Sequence, residues 1–367
     1  MDVQERIQAA MVGSTKKQPD RVPIYIPGHD VKFLEIFDKK YGDEIGDNTC
    51  ICNGMDMTPL ATLGVDCCDV PGPRHLNPER ELPTLGDESL IIDLFGRIFK
   101  VNVVKNIEYH IYQGPYLTSE QKIKEWDYIE PQQIEPDWFD RIYDEAINCV
   151  EKHQICPIFT GCDGLYSVLE GAIGVENMAY MLHDYPEFIE FQLEKVFKVI
   201  YSDVKGILDA GGAFILIKDD IAPAHRPIIT PDQVEDHLLK YYKKLVSLIH
   251  EKGGKAFFRT TGDVIGVLDT IIKAGFEVIH LTNPEVSYMD EMKTFWGEQI
   301  CIMGNVDVIS ILSYGTQVQV RKNVNELMGI AKEGGNFIFG TNNSLPGTVK
   351  MQNLEEMIAI AKIEGKY

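Results

Sequence analysis

The chain has 367 residues, 44% of them hydrophobic and 25% charged, enough for one large α/β domain or two smaller ones. Acidic residues outnumber Lys and Arg by 56 to 35, so the formal charge is −21 and the pI about 4.8, with no local basic cluster to offset it. Such a surface repels phosphate backbones and anionic lipid, which argues against nucleic-acid and membrane-surface roles.

The opening stretch, Met1 to Ala10, is polar and charged and lacks the apolar core of a secretory leader. No segment approaches the ~18 apolar residues of a membrane span. Eight cysteines stand at 50, 52, 67, 68, 149, 156, 162 and 301, several within apolar runs. Neither Cys50-Ile-Cys52 nor Cys67-Cys68 has the Cys-x2-Cys spacing of structural zinc, so the expectation is buried, reduced thiols in a cytoplasmic protein.

Taken in order, short β-type runs occur at 21–26, 65–70, 155–160, 213–218, 255–260, 277–281, 300–304 and 336–340. Most of the later ones precede helical patterns, at 231–251, 264–274, 288–296, 318–332 and 354–363. Strand–helix alternation sustained over this length predicts a parallel sheet, and about eight such strands predict closure into a (β/α)8 barrel. Two segments interrupt the rhythm. Residues 90–104 read as a hairpin about Gly96, outside the barrel. Residues 164–210 read as a helical insertion, punctuated by Gly174 and by Asp184-Tyr-Pro186. The expectation is therefore one barrel domain over 1–367, with an N-terminal extension and these two excursions.

In such a barrel the strand ends share one face, and the chemistry collects there. The stretch Lys255-Ala-Phe-Phe-Arg-Thr-Thr-Gly-Asp263 shows the pattern most clearly: an apolar run empties into polar side chains at a Gly-Asp step. The residues at the other strand ends include Tyr25, His29, Asp69, Lys218, Asp219, Asp220, His280, Asn305 and Asn342.

Read in order, several segments resemble the uroporphyrinogen decarboxylase superfamily. They are Arg6-Ile-Gln-Ala-Ala-Met11, Asp20-Arg-Val-Pro-Ile24, Asp219-Asp220 with Ile229-Thr-Pro231, Lys252-Gly-Gly254, Gly304-Asn-Val-Asp307 and Gly334-Gly-Asn-Phe-Ile-Phe339. The resemblance covers nearly the whole chain and implies a (β/α)8 barrel with its site at the C-terminal mouth. One branch of that superfamily decarboxylates uroporphyrinogen, whose eight carboxylates are met by arginines soon after the first strand. Here no arginine stands between Arg21 and Arg74, and the region where an aspartate should face the pyrroles reads Asp66-Cys-Cys-Asp-Val-Pro-Gly72. Desolvating several carboxylates without cationic partners is very costly.

The other branch comprises corrinoid-dependent methyltransferases. Its thiol-methylating members hold zinc with a His-x-Cys after the fifth strand and a cysteine near the last. The corresponding positions here look like Arg259, Thr261 and the 341–344 stretch Thr-Asn-Asn-Ser, none a good zinc ligand. The resemblance then points to a substrate-side methyltransferase of the O-demethylase kind. Such an enzyme moves methyl from a small methylated compound, such as a methoxylated aromatic, to the cobalt of a partner corrinoid protein. Arg259 and His280 are candidates for the donor to the leaving oxygen or for a carboxylate anchor, with Asp219 and Asp220 orienting them or carrying protons. Tyr25, His29, Asp263, Asn305 and Asn342 are candidates for substrate contact. A weak metal site from Asp219 or Asp220 with His280 is the only alternative to the family zinc. A homodimer is a further expectation. The competing readings are a carboxy-lyase acting on a small aromatic acid and a non-catalytic ligand-binding barrel.

Overall fold

A computed structural model describes residues 1–11, 18–46, 48–72, 85–87, 89–104, 107–126, 136–222 and 229–367. Eight parallel strands close into a barrel: β1 (Ile24–Tyr25), β2 (Cys67–Pro71), β3 (Cys156–Asp163), β4 (Phe214–Lys218), β5 (Lys255–Thr260), β6 (Val278–Leu281), β7 (Cys301–Val306) and β8 (Phe337–Thr341). Each lies within or beside one of the eight β-type runs. Ring closure is made by β1, which pairs with β8 at Ile24–Phe339 and with β2 at Tyr25–Cys67.

The interior follows from the two-residue period of a strand. Cys67, Ile158, Phe214, Leu216, Phe257, Val278, Cys301, Met303 and Ile338 fill the barrel, while their neighbours in sequence pack outward on the helices. The lower end is plugged by the helix Val3–Ala9, whose Val3 and Ile7 join the interior set. Asp2 and Glu5 form a capping box that starts this plug. Beside it Asp66, just before β2, accepts hydrogen bonds from Arg6 Nη1 (2.8 Å), Arg21 Nη1 (2.6 Å), Arg21 Nη2 (2.8 Å) and the Ile24 amide (2.7 Å).

Two excursions leave the barrel. The insertion is three helices, Leu165–Ile173, Val175–Asp184 and Pro186–Asp209, broken at Gly174 and before Pro186. The hairpin is formed by Leu90–Ile92 and Arg97–Val104, with Gly96 at φ 91° in the turn, a conformation that favours glycine. The sequence reading is corrected in one respect: a third strand, Ile107–Pro115, extends the hairpin into a three-stranded antiparallel sheet. The pattern at 231–251 also divides, into helices Pro231–His237 and Leu239–Glu251. No helix among the described residues is long and apolar enough to cross a membrane.

Candidate active site at the barrel mouth

Strand parity decides which side chains reach the mouth. Phe214 and Leu216 are interior residues, so β4 turns Lys218 inward and Asp219 outward. The same count carries Asp69 inward above Cys67, Arg259 above Phe257 and His280 above Val278. Lateral register places Lys218, Arg259 and His280 side by side on β4, β5 and β6.

Asp69 is the hub of this layer. Its Oδ1 accepts the Tyr25 hydroxyl at 2.7 Å. Its Oδ2 lies 3.0 Å from Lys218 Nζ and 4.0 Å from Arg259 Nη1. Arg259 is held from the other side by Asn343, whose Oδ1 accepts from Nη2 at 2.8 Å. Burial drives the Tyr25 hydroxyl well above its ordinary pKa and the Asp69 charge adds to this, so Tyr25 remains a hydrogen-bond donor.

Beneath them His280 is fully buried, edge-on to the Tyr25 ring with centroids 5.0 Å apart. Its Nε2 lies 3.0 Å from the Thr341 carbonyl, which can only accept, so the ring is protonated at Nε2. Burial holds its pKa well below the ordinary histidine value, and the charges of Arg259 and Lys218 push the same way. Nδ1 has no hydrogen-bond partner among the described residues. His280 is thus a neutral floor residue whose one ring N–H is already given to the Thr341 carbonyl, which leaves it no N–H for the leaving oxygen or a substrate carboxylate, the roles it was a candidate for.

Above this layer lies a cavity of about 910 Å3. The barrel contributes Lys218, Asp220, Arg259 and Thr261 to its lining, the helical insertion Ser167 and Glu170, and the antiparallel sheet Arg97, Phe99 and Tyr112. Asp220 is exposed at the rim, where its Oδ1 accepts the Thr261 amide at 3.0 Å and its own amide donates to Ser167 Oγ at 2.6 Å. Burial pushes the Glu170 carboxyl above the usual range, and the Asp220 charge adds to it against the opposing Tyr166 hydroxyl. Arg97 is already engaged: its Nε lies 2.7 Å from Asp93 Oδ2, and its guanidinium sits 5.2 Å from the Phe99 ring centre.

The remaining expected site residues have other partners. Asp219 is buried outside the barrel and accepts from the Ser167 amide (2.7 Å), Ser167 Oγ (2.9 Å), the Tyr166 amide (3.1 Å) and the Tyr242 hydroxyl (2.7 Å). It caps the first insertion helix and does not line the cavity. Asp263 accepts from Ile265 N and the Tyr288 hydroxyl, both at 3.0 Å, which starts the helix after β5. Asn305 donates to the Asn283 carbonyl at 2.6 Å, and Asn342 Oδ1 accepts from Val308 N at 3.1 Å. His29 Nε2 donates to the Asp56 carbonyl at 2.7 Å, and its ring stacks on Phe33. None of these four lines the cavity. Asp219 and His280 occupy separate hydrogen-bond sets, so the weak metal site expected from them is not assembled. Among the described residues no cluster of three or more His, Cys, Asp or Glu is placed to hold a metal ion.

The sequence matches the uroporphyrinogen decarboxylase (URO-D) family over residues 105–363, most of the chain and six of the eight barrel strands. The protein belongs to the uroporphyrinogen decarboxylase family. No curated protein matches it. Among solved structures, a methyltransferase from Methanosarcina mazei superposes with a TM-score of 0.68 at 15% identity, covering 99% of both chains. That is a likeness of fold. The C-terminal domain of a putative chitinase from Desulfitobacterium hafniense follows at a TM-score of 0.46 and 10% identity, covering 94% of this chain and 99% of the other.

Within the URO-D fold, the residues present do not fit a thiolate zinc. Arg259 carries a fixed charge into the mouth, Thr261 is exposed on the loop, and no sulfur stands at 341–344. Cys301 is at the opposite end of the barrel, its Sγ 3.4 Å from the Ala10 carbonyl on the plug. Two mouth residues, Asp69 and Lys218, appear in the strand-end roll but carried no role. The signal that finds them is parity: each lies two residues beyond an interior side chain.

Proposed function

We propose that this URO-D family member transfers a methyl group from a small methylated aromatic compound to the cobalt of a corrinoid carried by a partner protein. The observation that carries the reading is the paired cations Lys218 and Arg259 around Asp69 at the floor of a cavity with aromatic side chains on another wall. A substrate with eight carboxylates is poorly served there, because the lining offers three cations, of which Arg97 already faces Asp93 and Lys218 faces Asp69, and it carries the acids Glu170, Glu176 and Asp220 besides. The fold shared with a methyltransferase is consistent with methyl transfer.

When presented, the corrinoid supplies the methyl acceptor. The protein's task is on the substrate side. As the methyl–oxygen bond breaks, its electron pair stays on the oxygen, and a phenolate of pKa ~10 is a poor leaving group in water. Arg259 has a guanidinium fixed at one end by Asn343, leaving further N–H groups for that oxygen. Lys218 adds a second cation, and Asp69 fixes its position. Both charges act in a partly desolvated site, where they stabilise developing charge more than in water. Phe99 and Tyr112, on the antiparallel sheet, offer ring faces and edges to an aromatic substrate.

The test is incubation with a Co(I) corrinoid protein and a panel of methoxyarenes, following loss of Co(I) absorbance and appearance of the phenol. Demethylation of at least one member, slowed by a factor of roughly 10²–10³ in Arg259→Ala, supports the reading. Carbon dioxide release from small aromatic acids, with the corrinoid unchanged, would replace it with the carboxy-lyase reading.

A further inference from the structure

The charges at the mouth do not cancel where they are most deeply set. Lys218 and Arg259 side chains are 31% and 15% exposed, and the one carboxylate between them, Asp69, is 7% exposed. Two cations against one carboxylate leave a net single positive charge on the floor. The other acids stand elsewhere. Asp220 and Glu176 are exposed at the rim and screened by water, and Glu170 stands on the insertion helix Leu165–Ile173 rather than on the floor, its carboxyl raised above the usual range by burial. Arg97 faces Asp93, so the sheet wall brings no free charge to that balance but offers the Phe99 and Tyr112 rings. His280, just below the floor, is neutral and adds none.

We infer that the mouth is a binding site for a singly charged aromatic anion, its anionic oxygen on Lys218 and Arg259 and its ring against Phe99 and Tyr112. The inference rests on the proposed function for its location but names the ligand's charge and its recognising groups. A phenolate and an aromatic carboxylate share that chemistry. A neutral isostere leaves the cations without a partner, and a dianion lacks a second countercharge on the floor.

Isothermal titration of the full chain with 4-methoxybenzoate, 4-methoxybenzamide and 2-methoxy-4-nitrophenol tests this without requiring turnover. The nitrophenol's absorbance also reports its own ionisation. The carboxylate is expected to bind at least tenfold more tightly than the amide, and the bound nitrophenol to ionise at lower pH than in solution. Whichever anion binds more tightly identifies the source of the charge. Lys218→Met and Arg259→Met should each weaken anion binding about tenfold while leaving the weak amide binding unchanged. Asp69→Asn, which removes the competing carboxylate, should strengthen it. Equal binding of acid and amide by the unaltered protein would overturn the inference, as would no saturation at millimolar ligand. Selective anion binding without demethylation would sink the methyl-transfer reading and leave this one standing. Demethylation without anion selectivity would do the reverse.

Discussion

The Tyr242 hydroxyl donates to Asp219 Oδ2 at 2.7 Å, tying the helix Leu239–Glu251 to the carboxylate that caps the first insertion helix. Four donors converge on Asp219, yet burial outweighs them and lifts its pKa from 3.8 to about 6. A raised folded-state pKa means that this group's favourable contribution is complete below pH 3.8 and is lost as pH rises through about 6. Holding Asp219 ionised above that range costs on the order of 3 kcal/mol.

Tyr242→Phe should therefore destabilise the protein in a pH-dependent way. Above the Asp219 pKa the lost hydroxyl leaves an ionised, buried oxygen short of a donor, for a loss of about 1–3 kcal/mol. At pH 5, below the value of about 6, most Asp219 is protonated and the loss should shrink. Urea denaturation at pH 5 and pH 8 measures both. An equal loss at the two values would show that Tyr242 acts through packing alone.

Asp66 anchors the other end of the barrel. It is 2% exposed and binds both Arg6 and Arg21 as well as the amide that begins β1. Asp66→Ala would leave Arg21 without its carboxylate, Arg6 with Asp20 alone and the Ile24 amide without its acceptor, a loss of roughly 3–5 kcal/mol. The mouth is at the far end of the strands, so ligand affinity measured on the protein that remains folded should be unchanged. A thermal scan showing no loss of stability would mean that water or Asp20 replaces the carboxylate at little cost.

Much of this architecture is legible in the residues because barrel strands are apolar, short and regularly spaced. The insertion was legible too, since Gly174 and Pro186 stop and start its helices where they must. The strand Ile107–Pro115 was not: its Tyr109, His110, Tyr112 and Gln113 carry no clean apolar alternation, and pairing with its neighbour defines it. At the site, a strand-end position alone did not separate Lys218 from Asp219, which are adjacent in sequence and opposite in direction. Continuing the inward count from Phe214 and Leu216 would have separated them. The long-range partners are backbone groups on other segments for Asn305 and Asn342 and, for Asp263, the Tyr288 hydroxyl on the helix Val286–Trp296, which no local pattern announces.

His280 offers a spectroscopic prediction. Burial and two neighbouring cations hold it well below 6.5, so it should stay neutral with its proton on Nε2 from pH 8 down to pH 6.5, where an ordinary histidine is half charged. Because the unfolded state gains that proton and the folded state does not, this group makes the fold less stable as pH falls below 6.5. Imidazole carbon and nitrogen shifts of labelled protein should show no titration at His280 across that interval. A midpoint near 6.5 would require an acidic partner or solvent access that this packing denies it.

Arg259→Ala should impair turnover far more than folding. Its side chain makes one hydrogen bond to the protein among the described residues, to exposed Asn343, and approaches Asp69 only at 4.0 Å. Lys218 remains 3.0 Å from Asp69 in its absence, so the buried carboxylate keeps a counter-ion. Losing a charged donor to the leaving oxygen should cost ~2–4 kcal/mol of activation energy, a rate factor of roughly 10²–10³. Stability should fall by no more than about 1 kcal/mol, the range of a part-exposed ion pair. Arg259→Lys should recover the charge but not the bidentate reach, and so restore binding more than rate. Single-turnover demethylation beside thermal melting separates the two effects. An unchanged rate with a clearly lowered melting temperature would assign Arg259 to the structure of the mouth and remove it from the chemistry.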